Sequence, residues 1–184
     1  MAGATPNYGF ILPVGTEDYD VEVFNTNMQS LDTIIKSLAD TFSSFIKFTA
    51  EGGVAYKMIN KTGSASVKGS IVTVNSALAD SVKLQVNEFD AIGVMYEDGI
   101  ADGQYCWVVK NGKADVLLKD GTASTIGNWV ISADTDGRAD ASQPTPTPNN
   151  TTGEHTTHFK EIGHCLETKG AGTDVLARIT LHFN

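Results

Sequence analysis

The sequence predicts a mainly β protein: a small antiparallel β-barrel or sandwich, preceded by an extended arm and one long, coiled-coil-like α-helix. Three observations predict it. Beyond Gly52-Gly53 the apolar residues alternate in short β-branched runs, the period of a pleated strand. Eighteen glycines punctuate the chain, which suits tight turns better than helices. Between about 20 and 48 the period changes to that of a helical seam.

Residues 1–19 form the arm. Pro6 and Pro13 remove backbone donors and fix φ, and with Gly9 and Gly15 they exclude a helix. Pro6, Tyr8, Phe10, Ile11 and Leu12 are apolar residues with few partners of their own. An arm docking on another protein is the favoured expectation, and a strap lying on its own domain is the alternative.

Residues 20–48 form the helix. Phe24, Met28, Leu31, Ile35, Leu38, Phe42 and Phe45 recur at spacings 4-3-4-3-4-3, an a/d seam, with polar residues between them. Asp18 or Asp20 can cap its start. Ile34 and Ile46 widen the stripe, which suits three helices, or one helix on a sheet, better than a two-stranded zipper. Self-association is favoured because the arm leads away from the β region. Packing on that region is the alternative.

Residues 52–184 form the β domain, with strands expected at 54–59, 67–74, 82–86, 91–96, 105–109, 114–118, 128–132, 159–166 and 175–183. Asn111-Gly112 signals a hairpin, because a type I′ turn needs positive φ at both central residues. Asp136-Gly137 is a second turn candidate. The stretch 143–157, with Pro144, Pro146 and Pro148 and then Asn149-Asn150-Thr151-Thr152-Gly153, reads as an exposed loop. One internal echo stands out. Ile92-Gly93, Glu97, Ala101 and 105–109 recur seventy positions later as Ile162-Gly163, Glu167, Ala171 and 175–179, which suggests two equivalent hairpins in one barrel.

Thirteen basic against 22 acidic residues give a net charge of −9. This balance argues against nucleic acid and anionic lipid as partners, since both are bound through Lys and Arg. No apolar run approaches a membrane span, and the start lacks the pattern of a signal peptide. The protein is therefore expected to be made in the cytoplasm. Cys106 and Cys165 sit in apolar runs and read as buried free thiols.

No cofactor motif is found: phosphate-loop and dinucleotide patterns are absent, and Gly170-Ala171-Gly172-Thr173 joins two strands. His155, His158, His164 and His182 lack metal-site spacing, so no metal is expected. His158 and His164 share a face of a regular strand, and His182 could face them. His164 or His182 meeting its copies on a three-fold axis is the one metal geometry left open. His164 and Cys165 are adjacent on a strand and point apart, so they make no nucleophilic pair. Asp98, Asp102, Asp120, Asp134 and Asp136 fall in turns, where Asp serves the backbone. No catalytic constellation emerges, and the chain is expected to be no enzyme.

Two resemblances add to this. The run from Thr5 to Asp32, with Thr-Pro-Asn-Tyr-Gly-Phe, Leu-Pro and Asp-Tyr-Asp-Val-Glu-Val-Phe-Asn-Thr-Asn-Met-Gln-Ser-Leu-Asp, resembles the N-terminal attachment segments of phage tail-fibre and appendage proteins. The remainder resembles phage capsid decoration (cement) domains. The residues that carry it are Ile92-Gly93-Val94, Ala101-Asp102-Gly103, Gly127-Asn128-Trp129-Val130, Glu161-Ile162-Gly163-His164, Ala171-Gly172-Thr173 and Leu181-His182-Phe183-Asn184. The resemblances imply a homotrimeric virion protein fastened to capsid or tail proteins through its arm. The chain departs from decoration domains in carrying that arm and helix, and from long fibres in lacking a distal receptor module. Two rivals remain. One is a receptor- or glycan-binding module using the 143–157 loop with Trp107 or Trp129. The other is a virion-borne polysaccharide hydrolase.

Overall fold

The computed structural model describes residues 3–4, 11–12, 21–86, 90–143 and 160–183. The chain divides into two compact units, Met1–Phe45 and Ile46–Asn184. In the first, β1 (Gly3–Ala4) pairs antiparallel with β2 (Ile11–Leu12), and α1 spans Val21–Phe45. The helix stops before the expected residue 48 because Ile46–Phe48 forms strand β3. Asp18 and Asp20, the expected caps, lie outside the described residues.

The second unit carries β3, then β4 (Gly53–Asn60), β5 (Ile71–Val74), β6 (Ser81–Leu84), β7 (Gly93–Met95) and β8 (Tyr105–Leu117). There follow β9 (Trp129–Ser132), β10 (Ala139–Gln143), β11 (Glu161–Cys165) and β12 (Leu176–Leu181). All ten belong to one sheet. The protein is mainly β, as expected, but the sheet is mixed: β4 and β6 run parallel.

Hydrogen-bonded neighbours trace two circuits. β8 pairs with β7, β7 with β5, β5 with β6, β6 with β4, and β4 with β8 again. In the second, β8 pairs with β12, β12 with β11, β11 with β9, and β9 with β10. A parallel bridge from Ala139 to Leu118 then returns to the end of β8. The two circuits are copies of one plan. The parallel Asn60–Val82 contact matches Leu118–Ala139, and Val74–Val82 matches Ser132–Ala139. Val72–Gly93 matches Val130–Gly163, and the Tyr96 N to Trp107 O bond (3.0 Å) matches Leu166 N to Arg178 O (2.8 Å).

The loops repeat too. Lys61-x-Gly63-x-Ala65-Ser66-x-x-Gly69 recurs fifty-eight positions on as Lys119-x-Gly121-x-Ala123-Ser124-x-x-Gly127. Each serine is buried and donates to an equivalent carbonyl, Ser66 to Glu97 O (2.7 Å) and Ser124 to Glu167 O (2.9 Å). Gly69 and Gly127 both hold positive φ (86° and 85°) and donate to Met95 O and Cys165 O. This tight turn is why 67–70, expected as strand, is loop. The seventy-residue echo is thus one part of a longer duplication, and its two hairpins lie in different circuits rather than in one barrel.

Burial follows the duplication. Val72, Val82, Met95, Cys106 and Val108 form one core, and the positions equivalent to them, Val130, Ala139, Cys165, Ala177 and Ile179, belong to the other. That second core also takes in Ile71, Val94 and Val109 from the opposite face of the first circuit. Strands β5, β7 and the first half of β8 are therefore packed on both faces, which explains the apolar runs at 71–72, 94–95 and 106–109.

The Asn111-Gly112 hairpin does not form. Strand β8 runs straight through it, pairing with β4 before the glycine and β12 after it. The β4–β8 register slips there, with Val54 opposite Asn111 and Ala55 opposite Val109, so one residue bulges. Gly112 holds φ 82° and packs on Gly52 and Gly53, where an added Cβ would sit 2.6 Å from Gly52 O. The positive φ expected of a turn is instead used by a bulge. The Asp136-Gly137 turn forms as expected, with Gly137 at φ 67° and Ala133 N bonded to Arg138 O (2.9 Å). Gly112→Ala should cost about 2–3 kcal/mol from backbone strain and the close approach, measured by urea unfolding. Gly121→Ala is the control, since its φ is also positive (77°) but nothing lies within 4 Å, and it should cost about 1 kcal/mol.

Candidate functional site

Two features outside the cores carry chemistry: the seam of the helix and a histidine–glutamate cluster. The seam residues expected from spacing lie along α1, and all seven are exposed, from Leu31 at 38% to Phe45 at 65%. Much of the polar side is bonded within the helix. Thr26, Ser30, Thr33 and Thr41 hydroxyls donate to carbonyls four residues back, and Lys36 pairs with Asp40 at 2.9 Å. A solvated i,i+4 pair of this kind contributes at most about 0.5 kcal/mol. In proteins most of a helix's stability comes from packing of its amphipathic face rather than from propensity, so this exposed stripe is a surface suited to a cover. Of the expected attachment residues, Ile11 and Leu12 form β2. Pro6, Tyr8 and Phe10 lie outside the described residues, as do His155, His158 and positions 144–157 of the loop.

The second feature sits where β11 and β12 meet. His164 pairs with Thr180 across the two strands, and His182 N donates to Ile162 O (3.0 Å), which makes the two histidines diagonal neighbours on one face. Their rings lie 4.8 Å apart, and Trp129 of β9 meets His164 edge-on at 5.8 Å. Glu161, three residues before His164, would point to the opposite face of a regular strand. A bulge prevents this: Glu161 opposes Ile131, but Gly163 opposes Val130. Gly163 permits it, because a Cβ there would collide with the Thr180 carbonyl. As a result Glu161 Oε1, almost fully buried, lies 3.3 Å from His164 Nε2 and 3.2 Å from His182 Nε2. Sequence reasoning named both histidines and missed the glutamate. Gly163 inside a strand pattern was the available sign of a bulge.

Trp107 and Trp129 are half-buried, and the Lys47 ammonium lies 5.7 Å from the Trp107 ring. Asp98 accepts from Lys68 N, Asp102 from Gly63 N and Lys61, and Asp120 from Asp174 N and Arg138. The bonds differ from the local turn bonds expected of them: their backbone partners lie 30, 39 and 54 residues away, so each carboxylate braces one loop against another. Cys106 and Cys165 are free and buried, one in each core. Burial pushes the Cys106 thiol up to about 11 and raises that of Cys165. No described helix is long and apolar enough to cross a membrane.

Ion pairs tie the circuits together. Asp115 on β8 holds Arg178 Nε of β12 at 2.7 Å and Lys68 Nζ of the first repeat's loop at 3.0 Å. Lys68 also reaches Glu51 at 3.2 Å. Burial pushes the Asp115 carboxyl up, but the hydrogen bonds from Arg178 and Lys68 outweigh it and hold the group below its ordinary value. No protein-family profile and no curated protein sequence matches the chain.

A depressed carboxyl stabilises the fold above its unfolded value, near 3.9, and that contribution is lost as pH falls through the lower folded value. Asp115→Asn should therefore cost about 2 kcal/mol at pH 7. The stabilities of variant and parent from urea titrations should draw together as pH falls from about 3.9 through the lower folded value. The two thiols should resist Ellman's reagent in the folded protein and react in about 6 M guanidinium, because only the thiolate attacks.

Proposed function

We propose that the chain is a non-enzymatic structural protein of a tailed-phage virion. In this reading it is a homotrimer that attaches to capsid or tail proteins through its N-terminal arm and displays a β knob. The observation that carries this reading is the exposed seam of α1. Seven large apolar side chains at strict 4-3 spacing form a surface that complements other copies of itself, as knobs fit holes. The broadened stripe, with Ile34 beside it, favours three helices over two.

The duplicated β unit supports the knob. Each circuit of strands returns to its starting strand and surrounds its own core, so we read each as a small five-stranded barrel, the two sharing β8. Closed circuits leave few open edges to pair with other chains, which suits a domain displayed in many copies. The resemblance of residues 5–32 to fibre attachment segments supports a particle-bound arm. Its affinity would come from apolar burial at about 25 cal/mol per Å², repeated through symmetry.

Sedimentation velocity tests the oligomer. The parent should run as a trimer, and Leu31→Asp with Leu38→Asp as a monomer whose β-sheet circular dichroism is retained. A trimer in the double variant, or a monomeric parent, would overturn the reading. Immunogold labelling of purified particles, expected to mark capsid or tail, tests the placement.

A further inference from the structure

We propose that Glu161, His164 and His182 form a binding site for one divalent transition-metal ion, of which zinc is the best fit. The donor set is two imidazole nitrogens and one carboxylate oxygen, the combination that holds zinc in open sites with water completing the shell. The geometry is near that of a bound ion. Zinc–ligand bonds of about 2.0–2.1 Å at tetrahedral angles place neighbouring donors about 3.3 Å apart. The two His–Glu separations are 3.3 and 3.2 Å, and all three donors lie within 4.8 Å of one another. Only the distance between the two Nε2 atoms needs to shorten, by rotation of rings that are each more than a third exposed. That exposure leaves the outer side of the ion open to water or to a further ligand.

The repeat supplies an internal comparison. In the first copy the equivalent positions are Ala91, Val94 and Asn111, none of which could make this donor set. The strand scaffold therefore does not require these side chains. Three donors have been placed together in one copy alone, beside a bulge that turns the buried glutamate towards both histidines. A buried carboxylate with two histidines could also serve as a plain hydrogen-bonded cluster, and the experiment separates the two. An ion here would clamp β12 to β11 just after the 143–157 insertion. The site does not depend on the trimer, because one chain supplies all three donors.

The test uses the full chain, stripped with chelator, and zinc chloride as the probe in isothermal titration calorimetry. The variant is His164→Val with His182→Asn, which installs the first copy's own residues and so keeps side chains the fold already accepts. The parent should bind one zinc per chain, and the variant at least tenfold more weakly. Cobalt offers a second readout, a visible d–d absorption band for the parent that the variant lacks. Zinc should also raise the melting temperature of the parent and leave that of the variant unmoved. Equal zinc binding by parent and variant, or none by the parent at 100-fold molar excess, overturns the proposal and leaves a hydrogen-bonded cluster.

Discussion

Gly52, Gly53 and Gly112 meet backbone to backbone, with no side chain to keep β4 and β8 apart at that point. The bulge there bends β8 without ending it. Because the strand continues, its first half completes one circuit and its second half opens the next. A reversal at the same place would have made a hairpin and separated the two halves of the sheet. Both cores, the buried outer face of the first circuit and the Lys68–Asp115–Arg178 bridge all require this one continuous strand.

The duplication shows which residues the scaffold needs. The motif shared by 61–69 and 119–127 keeps its serine because a buried hydroxyl must be satisfied, and both copies use the same carbonyl. It keeps Gly69 and Gly127 because both hold the backbone at positive φ. Where geometry is less demanding, the copies have diverged. Gly63 donates to the Asp102 carboxylate, while Gly121, its equivalent, donates to the backbone of Gly172. Val94 is core, while His164 at the matching position is half-exposed and faces His182. Such divergence marks the places where chemistry could be added without loss of fold.

Much of this was legible in the sequence, and the misses have physical causes. The 4-3 spacing located α1 to within three residues, and alternation located most strands. β10 escaped because Ala139, Asp140 and Ala141 are poor strand formers; the two alanines serve there because small side chains fit a filled interior. The duplication was visible only in half. The first strands of the copies are offset by 57 or 58 positions, and the last by 70 or 71, since the Pro/Asn/Thr stretch intervenes. A search at a single offset finds one hairpin and loses the rest. Glu161 was hidden for another reason: strand alternation assigns it to the wrong face, and only the bulge corrects it.

The two units differ in how they are stabilised, and this gives the proposed oligomer its logic. The β unit carries its own cores, and the buried hydroxyls of Ser66 and Ser124 and the Lys68–Asp115–Arg178 ion pairs are met within the chain. The helix has the opposite balance: six of its hydroxyls and its lysine are bonded locally, while its large apolar side chains are exposed. Helical propensity and i,i+4 pairs contribute only tenths of a kcal/mol each, too little to hold such a segment alone. In proteins most helical stability comes from packing of the apolar face, so a surface that covered the seam would supply most of its order. If that surface is the same seam on other copies, helix formation and association become one equilibrium, governed by protein concentration. Unfolding of the β knob would then be a separate transition, independent of concentration.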